Sequence, residues 1–145
     1  MFVLDTNVVS ELRRPTKASR EVLAWARRLP VSSFFLSSIT VLELDLGALL
    51  ISRRDPVLGA ALRSWIDQQV LPRFDGRILP IDTMVARRCA QLHVPDQRPE
   101  RDSLIAVMAL VHGMTVATRN VADFESTGVS VLSPSGSMVP GFSGV

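Results

Sequence analysis

The sequence predicts an α/β fold in which a short parallel sheet lies between helices on both faces. Three observations carry this. Brief apolar runs without polar alternation recur along the chain, as strands buried on both faces require. Segments with a helical apolar period separate them. Their alternation implies parallel pairing through right-handed crossovers. At 145 residues the chain is one domain, long enough to bury about two-thirds of its unfolded surface. With 47% hydrophobic and 21% charged residues, disordered and fibrous classes are excluded.

Met1-Phe2-Val3-Leu4 reads as the first strand, ending at Asp5. Asn7 to Leu12 follows as a short helix stopped by Arg13-Arg14-Pro15, and Ala18 to Leu29 as a second, closed by Pro30. Phe34-Phe35-Leu36-Ser37 is the next strand; Thr40-Val41-Leu42-Glu43 matches a capping box opening a helix to about Ser52. A further helix starts at Asp55-Pro56, with Leu58, Leu62, Trp65, Ile66 and Val70 as its buried stripe, and ends before Pro72. Arg77 to Ile81 is a brief strand, and Asp82 caps a helix carrying Val85, Ala86, Cys89 and Leu92. After a turn through Pro95 to Pro99, Glu100 to His112 is apolar on most sides, a central helix with Gly113 as its cap. Met114 to Thr118 is a strand, Asn120 to Glu125 a short helix and Val129 to Leu132 the last strand. The domain therefore spans residues 1–132, and 133–145 reads as a flexible Pro/Gly/Ser-rich tail.

Several function classes find no support. The first apolar run meets Asp5 too soon for a signal peptide, and no run reaches the ~18 residues of a membrane helix, so a cytoplasmic protein is expected. Cys89, the one cysteine, has no internal disulfide partner. His93 and His112 lie near helix ends, where a cation suits the dipole. There is no Gly-x-Ser-x-Gly turn and no phosphate-cradling glycine loop. Lys17 is the sole lysine, and arginine suits phosphate contacts; the lack of tyrosine argues against a base-stacking platform.

What remains is acidic. Asp5, Glu43, Asp102 and Asp123 each follow an apolar run or a loop through polar residues. Taken singly, the last three read as first-turn acids, worth about 0.3–1 kcal/mol against a helix dipole. Taken together, they fall where this architecture gathers strand carboxyl ends and helix N-termini on one rim. Carboxylates so gathered repel unless a cation sits among them. Oxygen ligands without His or Cys select Mg2+ or Mn2+ over Zn2+. Thr6, Asn7, Ser38, Thr118 and Asn120 are placed to orient the acids or their waters. That chemistry points to hydrolysis of a phosphodiester.

In this order and spacing, Phe2-Val3-Leu4-Asp5-Thr6-Asn7-Val8-Val9-Ser10-Glu11, Leu36 to Leu44, Gly76 to Asp82, Asp102-Ser103-Leu104-Ile105-Ala106 and Thr115 to Asn120 resemble the PIN-domain toxins of the VapC family, in their FitB-like branch. The resemblance implies a PIN-domain α/β/α sandwich and the toxin of a type II toxin–antitoxin pair. It implies a Mg2+- or Mn2+-dependent endoribonuclease, a homodimer, and a VapB-type antitoxin through which alone DNA is met. By motif position Asp5, Glu43 and Asp102 are the invariant acids; Asp123 or Asn120 supplies the fourth. The expected ligands and catalytic groups are thus Asp5, Asp102, Glu43 and Asp123, with Arg13, Arg14 and Arg119 as candidate guides for the RNA backbone. Two other classes stay open. A phosphoaspartyl enzyme needs an acid where Asn7 stands; a catalytically weak PIN-fold module would bind partners within the antitoxin complex.

Overall fold

The computed structural model describes residues 1–134. Strands β1 (Phe2–Leu4), β2 (Phe34–Ser37), β3 (Ile78–Leu79), β4 (Thr115–Ala117) and β5 (Val131–Leu132) form one sheet in the order β3-β2-β1-β4-β5. Every pairing is parallel, with Val3 opposite both Phe35 and Val116. The helices are α1 (Thr6–Leu12), α2 (Arg20–Arg28), α3 (Ser38–Ser52), α4 (Pro56–Trp65), α5 (Leu71–Arg73), α6 (Thr83–Leu92) and α7 (Glu100–His112).

Alternation along the strands splits the interior into two cores. Val3, Val116 and Val131 pack with α6 and α7 around Ile105, Met108 and Phe124. Leu4, Leu36 and Ala117 pack on the other face with Val8, Val9, Trp25, Ile66 and Val70. The sheet is thus buried on both sides, which is why its strands carry no polar alternation. In α7, Ile105 to Ala109 are all fully buried, and Gly113 at φ 67° closes the helix in a conformation that costs other residues strain. At Gly59 a Cβ would lie 1.9 Å from the Ser52 hydroxyl, so only glycine lets α4 fold back on α3 there.

Some boundaries differ from expectation. Ser37, not Thr40, caps α3, its hydroxyl accepting the Thr40 N–H; the helix starts earlier because β2 runs into it without a loop. The α4 segment does not stop before Pro72: a π-helical turn (Ile66–Val70) leads into α5, where Pro72 falls at a first-turn position that needs no N–H. β3 pairs only over two residues, since Pro80 lacks the N–H to extend the ladder. Asn120 to Glu125 is not a helix but part of two 3-10 turns, Val121–Asp123 and Glu125–Thr127. No helix among the described residues is long and apolar enough to cross a membrane. Most of the expected tail, residues 135–145, lies outside the described residues.

Candidate functional site

The strand order reverses between β1 and β4, and there the crossover helices diverge to opposite faces and open a crevice at the strand carboxyl ends. Asp5 leaves β1 at that point and Thr118 leaves β4 beside it. Asp5 is 7% exposed. Its Oδ1 accepts the Thr6 N–H at 2.8 Å, so it caps α1. Its Oδ2 accepts from the Thr118 hydroxyl at 2.8 Å and, at 3.4 Å, from the Asn7 side-chain amide.

Glu43 comes from α3. It sits past the first turn, because the helix begins at Ser38, and a carboxylate there gains little from the helix dipole. The reading of Glu43 as a capping acid therefore fails. Its Oε1 accepts the Thr6 hydroxyl at 2.8 Å, and the buried Thr40 hydroxyl lies 3.1 Å from that of Thr6. Asp102 is in the first turn of α7, half-buried, and Asp123 ends the first 3-10 turn, exposed.

The electrostatics tie the four together. The Asp5 carboxyl is raised above its ordinary pKa chiefly by burial; the Thr118 and Thr6 hydrogen bonds oppose this, and the charges of Glu43 and Asp123 add to it. Asp102 is raised by burial and then by Asp5, Asp123 and Glu43. Each of these acids thus lies in the field of others. Among the described residues no three carboxylates, histidines or cysteines already close tightly enough to hold an ion; the acids share a rim, not a finished cage.

Both shifts are upward, so each carboxyl stabilises the fold most below about pH 4, and the contribution is lost as pH rises through its folded pKa. Metal-free Asp102→Asn is therefore expected to be more stable than wild type at neutral pH, with the gap closing towards pH 4. Chemical denaturation in EDTA across that range measures it; a gap independent of pH would contradict the crowding.

The supporting residues divide. Thr6, Asn7 and Thr118 bond the acids directly. Asn7 also accepts the Arg119 N–H at 3.2 Å, which ties α1 to the loop after β4. Asn120 is exposed, and its backbone N–H, not its side chain, meets the Thr118 hydroxyl at 3.0 Å. The Ser38 hydroxyl is buried without a partner among the described residues. Of the three arginines, Arg119 is paired with Glu11 at 3.0 Å. Arg13 lies over the Trp65 ring, 5.9 Å from its centre, about 12 Å along α1 from Asp5 by helical rise. Neither is a free cation at the rim, and Arg14, exposed beside Arg13, shares its end of α1.

Two further residues, to which the sequence assigns no role, make contacts at the site. Glu11 accepts the Ser19 N–H at 2.8 Å while pairing with Arg119, locking α1 to the start of α2. Arg101 places its guanidinium 3.7 Å from Glu43. Contacts between residues so far apart in sequence leave no local pattern.

Comparison with known proteins shows the family. The PIN domain profile matches residues 2–129. The toxin FitB of Neisseria gonorrhoeae is 40% identical over 140 residues, covering 92% of this chain and 98% of FitB. The VapC ribonuclease Y4jK of Sinorhizobium fredii is 36% identical over 141 residues, 92% of this chain and 97% of that protein. A structure of FitAB bound to the IR36 DNA fragment superposes with a TM-score of 0.83 at 37% identity, covering 96% of this chain and 99% of its own. The chain belongs to the PIN-domain family, among the toxins of FitB and VapC type.

Proposed function

We propose that the chain is the toxin of a type II toxin–antitoxin pair and a divalent-metal-dependent endoribonuclease. The observation that carries this reading is the placement of Asp5, Glu43, Asp102 and Asp123 at one rim, with Asp5 and Asp102 pushed up chiefly by burial and further by the neighbouring carboxylates. Crowded carboxylates with hydroxyl and amide neighbours suit a hard cation such as Mg2+ or Mn2+. Asp5 and Asp102 would hold it, with Glu43 and Asp123 completing the set. Asp123 is favoured over Asn120 because its charge reaches both Asp5 and Asp102. When bound, such a cation lowers the pKa of water and neutralises charge on the phosphate.

The protein's own part is positional. Thr118 and Asn7 fix the Asp5 carboxylate, and Thr6 spans the crevice by donating to Glu43 from α1. These bonds keep the acids oriented before substrate arrives, so little reorganisation is left for the reaction.

The partner reading follows the family, whose FitAB relative is a complex bound to DNA. A groove of about 430 Å3, apart from the acids and lined by Val9, Leu12, Leu23, Ala26, Trp65 and Arg13, suits an amphipathic antitoxin helix. Along α3, Leu42, Leu46, Leu49 and Leu50 are exposed in one stripe, a face suited to the homodimer.

Cleavage of RNA by the purified chain with Mg2+ or Mn2+, abolished by EDTA, tests the reading. Glu43→Gln is expected to lose activity by roughly 10²-fold or more, since a neutral amide ligates a hard cation poorly. Full activity in that variant would remove Glu43 from the site. Cleavage that persists in EDTA would remove the metal.

A further inference from the structure

Arg101 stands immediately before Asp102 in the first turn of α7. Its guanidinium is 3.7 Å from Glu43 Oε2, with 51% of the side chain exposed. The other Glu43 oxygen is occupied by the Thr6 hydroxyl. Of the two ion pairs among the described residues, this is the one that reaches the acids; the other commits Arg119 to Glu11.

A half-exposed pair at that separation adds little to stability, and it breaks at little cost. Its position is therefore better explained by what must enter the crevice. Four carboxylates repel a polyanion, so an RNA phosphate entering the crevice gains from positive charge beside the acids in addition to that of a bound cation. A guanidinium matches two phosphate oxygens at once, and it stays charged throughout the working pH range. Carried on α7, which is fixed by its fully buried stretch from Ile105 to Ala109, Arg101 is anchored at the backbone and held at its tip only by the half-exposed contact with Glu43.

Resting on the reading of the acids as an RNA-cleaving site, we propose that Arg101 releases Glu43 when substrate enters and grips the non-bridging oxygens of the scissile RNA phosphate. The guanidinium transfers no proton; it binds the phosphate and offsets the charge that develops on it. Until then Glu43 parks it at the mouth of the crevice.

The test uses the full chain. Arg101→Ala is expected to lower kcat/KM for cleavage of total bacterial RNA by about 10²-fold, with Arg101→Lys recovering part of the loss as a point charge. Binding of fluorescein-labelled random-sequence single-stranded RNA, followed by anisotropy, should weaken in Arg101→Ala. The slope of log Kd against log salt should fall by about 0.7, one phosphate contact on a single strand. The same changes should appear when Arg101→Ala is made in the Glu43→Gln background, where the carboxylate paired with Arg101 is absent. Mn2+ binding by calorimetry should be retained.

Wild-type cleavage with an unchanged Arg101→Ala would overturn the proposal. So would a normal RNA affinity and salt slope of the double variant against Glu43→Gln alone, or loss of Mn2+, because Arg101 would then act only through Glu43. An equal loss in Arg87→Ala, an exposed charge on α6, would assign the effect to the overall field and overturn it as well. Absence of cleavage by wild type would instead remove the catalytic reading, while the anisotropy comparison would still decide whether Arg101 holds RNA.

Discussion

Asp5→Asn is expected to keep the fold and lose RNA cleavage by about 10³-fold or more, some 4 kcal/mol of transition-state stabilisation. Asparagine has the same shape and caps helices as well as aspartate, so the Thr6 N–H keeps its acceptor and α1 its start. What disappears is the charge. Asp5 is the most buried of the four acids and stands at the switch point of the sheet, so an ion in the crevice has no substitute for it. Three measurements separate the outcomes: cleavage with Mn2+, Mn2+ binding by calorimetry, and thermal melting in EDTA. Lost cleavage and lost binding with an unchanged or higher melting temperature support the site. Retained Mn2+ affinity would remove Asp5 as a ligand. Cleavage near the wild-type rate would leave Asp5 as a helix cap alone. The competing view of a catalytically weak partner-binding module predicts no cleavage from wild type either, so the wild-type control decides between them.

The architecture was legible because strands buried on both faces and helices with one apolar stripe leave different local signatures. Val3, Leu36 and Val116 announce the first kind, and Val22 and Trp25 the second. The acids were legible for a topological reason: parallel strands put their carboxyl ends on one edge, so residues 5 and 118 had to be neighbours once their strands were placed. Local rules misjudged roles wherever the decisive contact was distant. Thr40 and Glu43 have the spacing of a capping box, yet Ser37 is the cap, and Glu43 is instead held by Thr6, 37 residues away in sequence. Asp5 lacks the spacing of a capping box, yet it caps α1. Arg13, Arg14 and Arg119 lie close to the acids in sequence, whereas Arg101, whose guanidinium is 3.7 Å from Glu43 in space, carries no local signal of that contact. The π-helical turn at Ile66–Val70 was invisible because its apolar spacing continues that of α4.

Phe124→Ala is expected to cost about 3–5 kcal/mol of folding stability, a large share of the roughly 5–15 kcal/mol available to such a domain. Phe124 is fully buried in the core shared with Ile105, Met108 and Val129. Its backbone is also the hub of the turn: its N–H bonds the Val121 carbonyl, and its own carbonyl accepts from the Thr127 hydroxyl at 2.6 Å. The two 3-10 turns on either side carry little regular hydrogen bonding of their own, so the ring is what pins this loop to the sheet. Asp123 is the residue before it, exposed and on a turn too short to orient a side chain unaided. The milder Phe124→Leu, costing about 1–2 kcal/mol, should therefore leave a folded protein whose cleavage falls more than its stability explains, because the fourth carboxylate has lost its anchor. Urea unfolding in EDTA, with cleavage assayed where each variant is fully folded, reads the two effects separately. If Phe124→Leu loses stability yet cleaves at the wild-type rate, the placement of Asp123 does not depend on the core. Asp123→Asn then decides whether that acid takes part at all: an active variant would return the fourth position to Asn120.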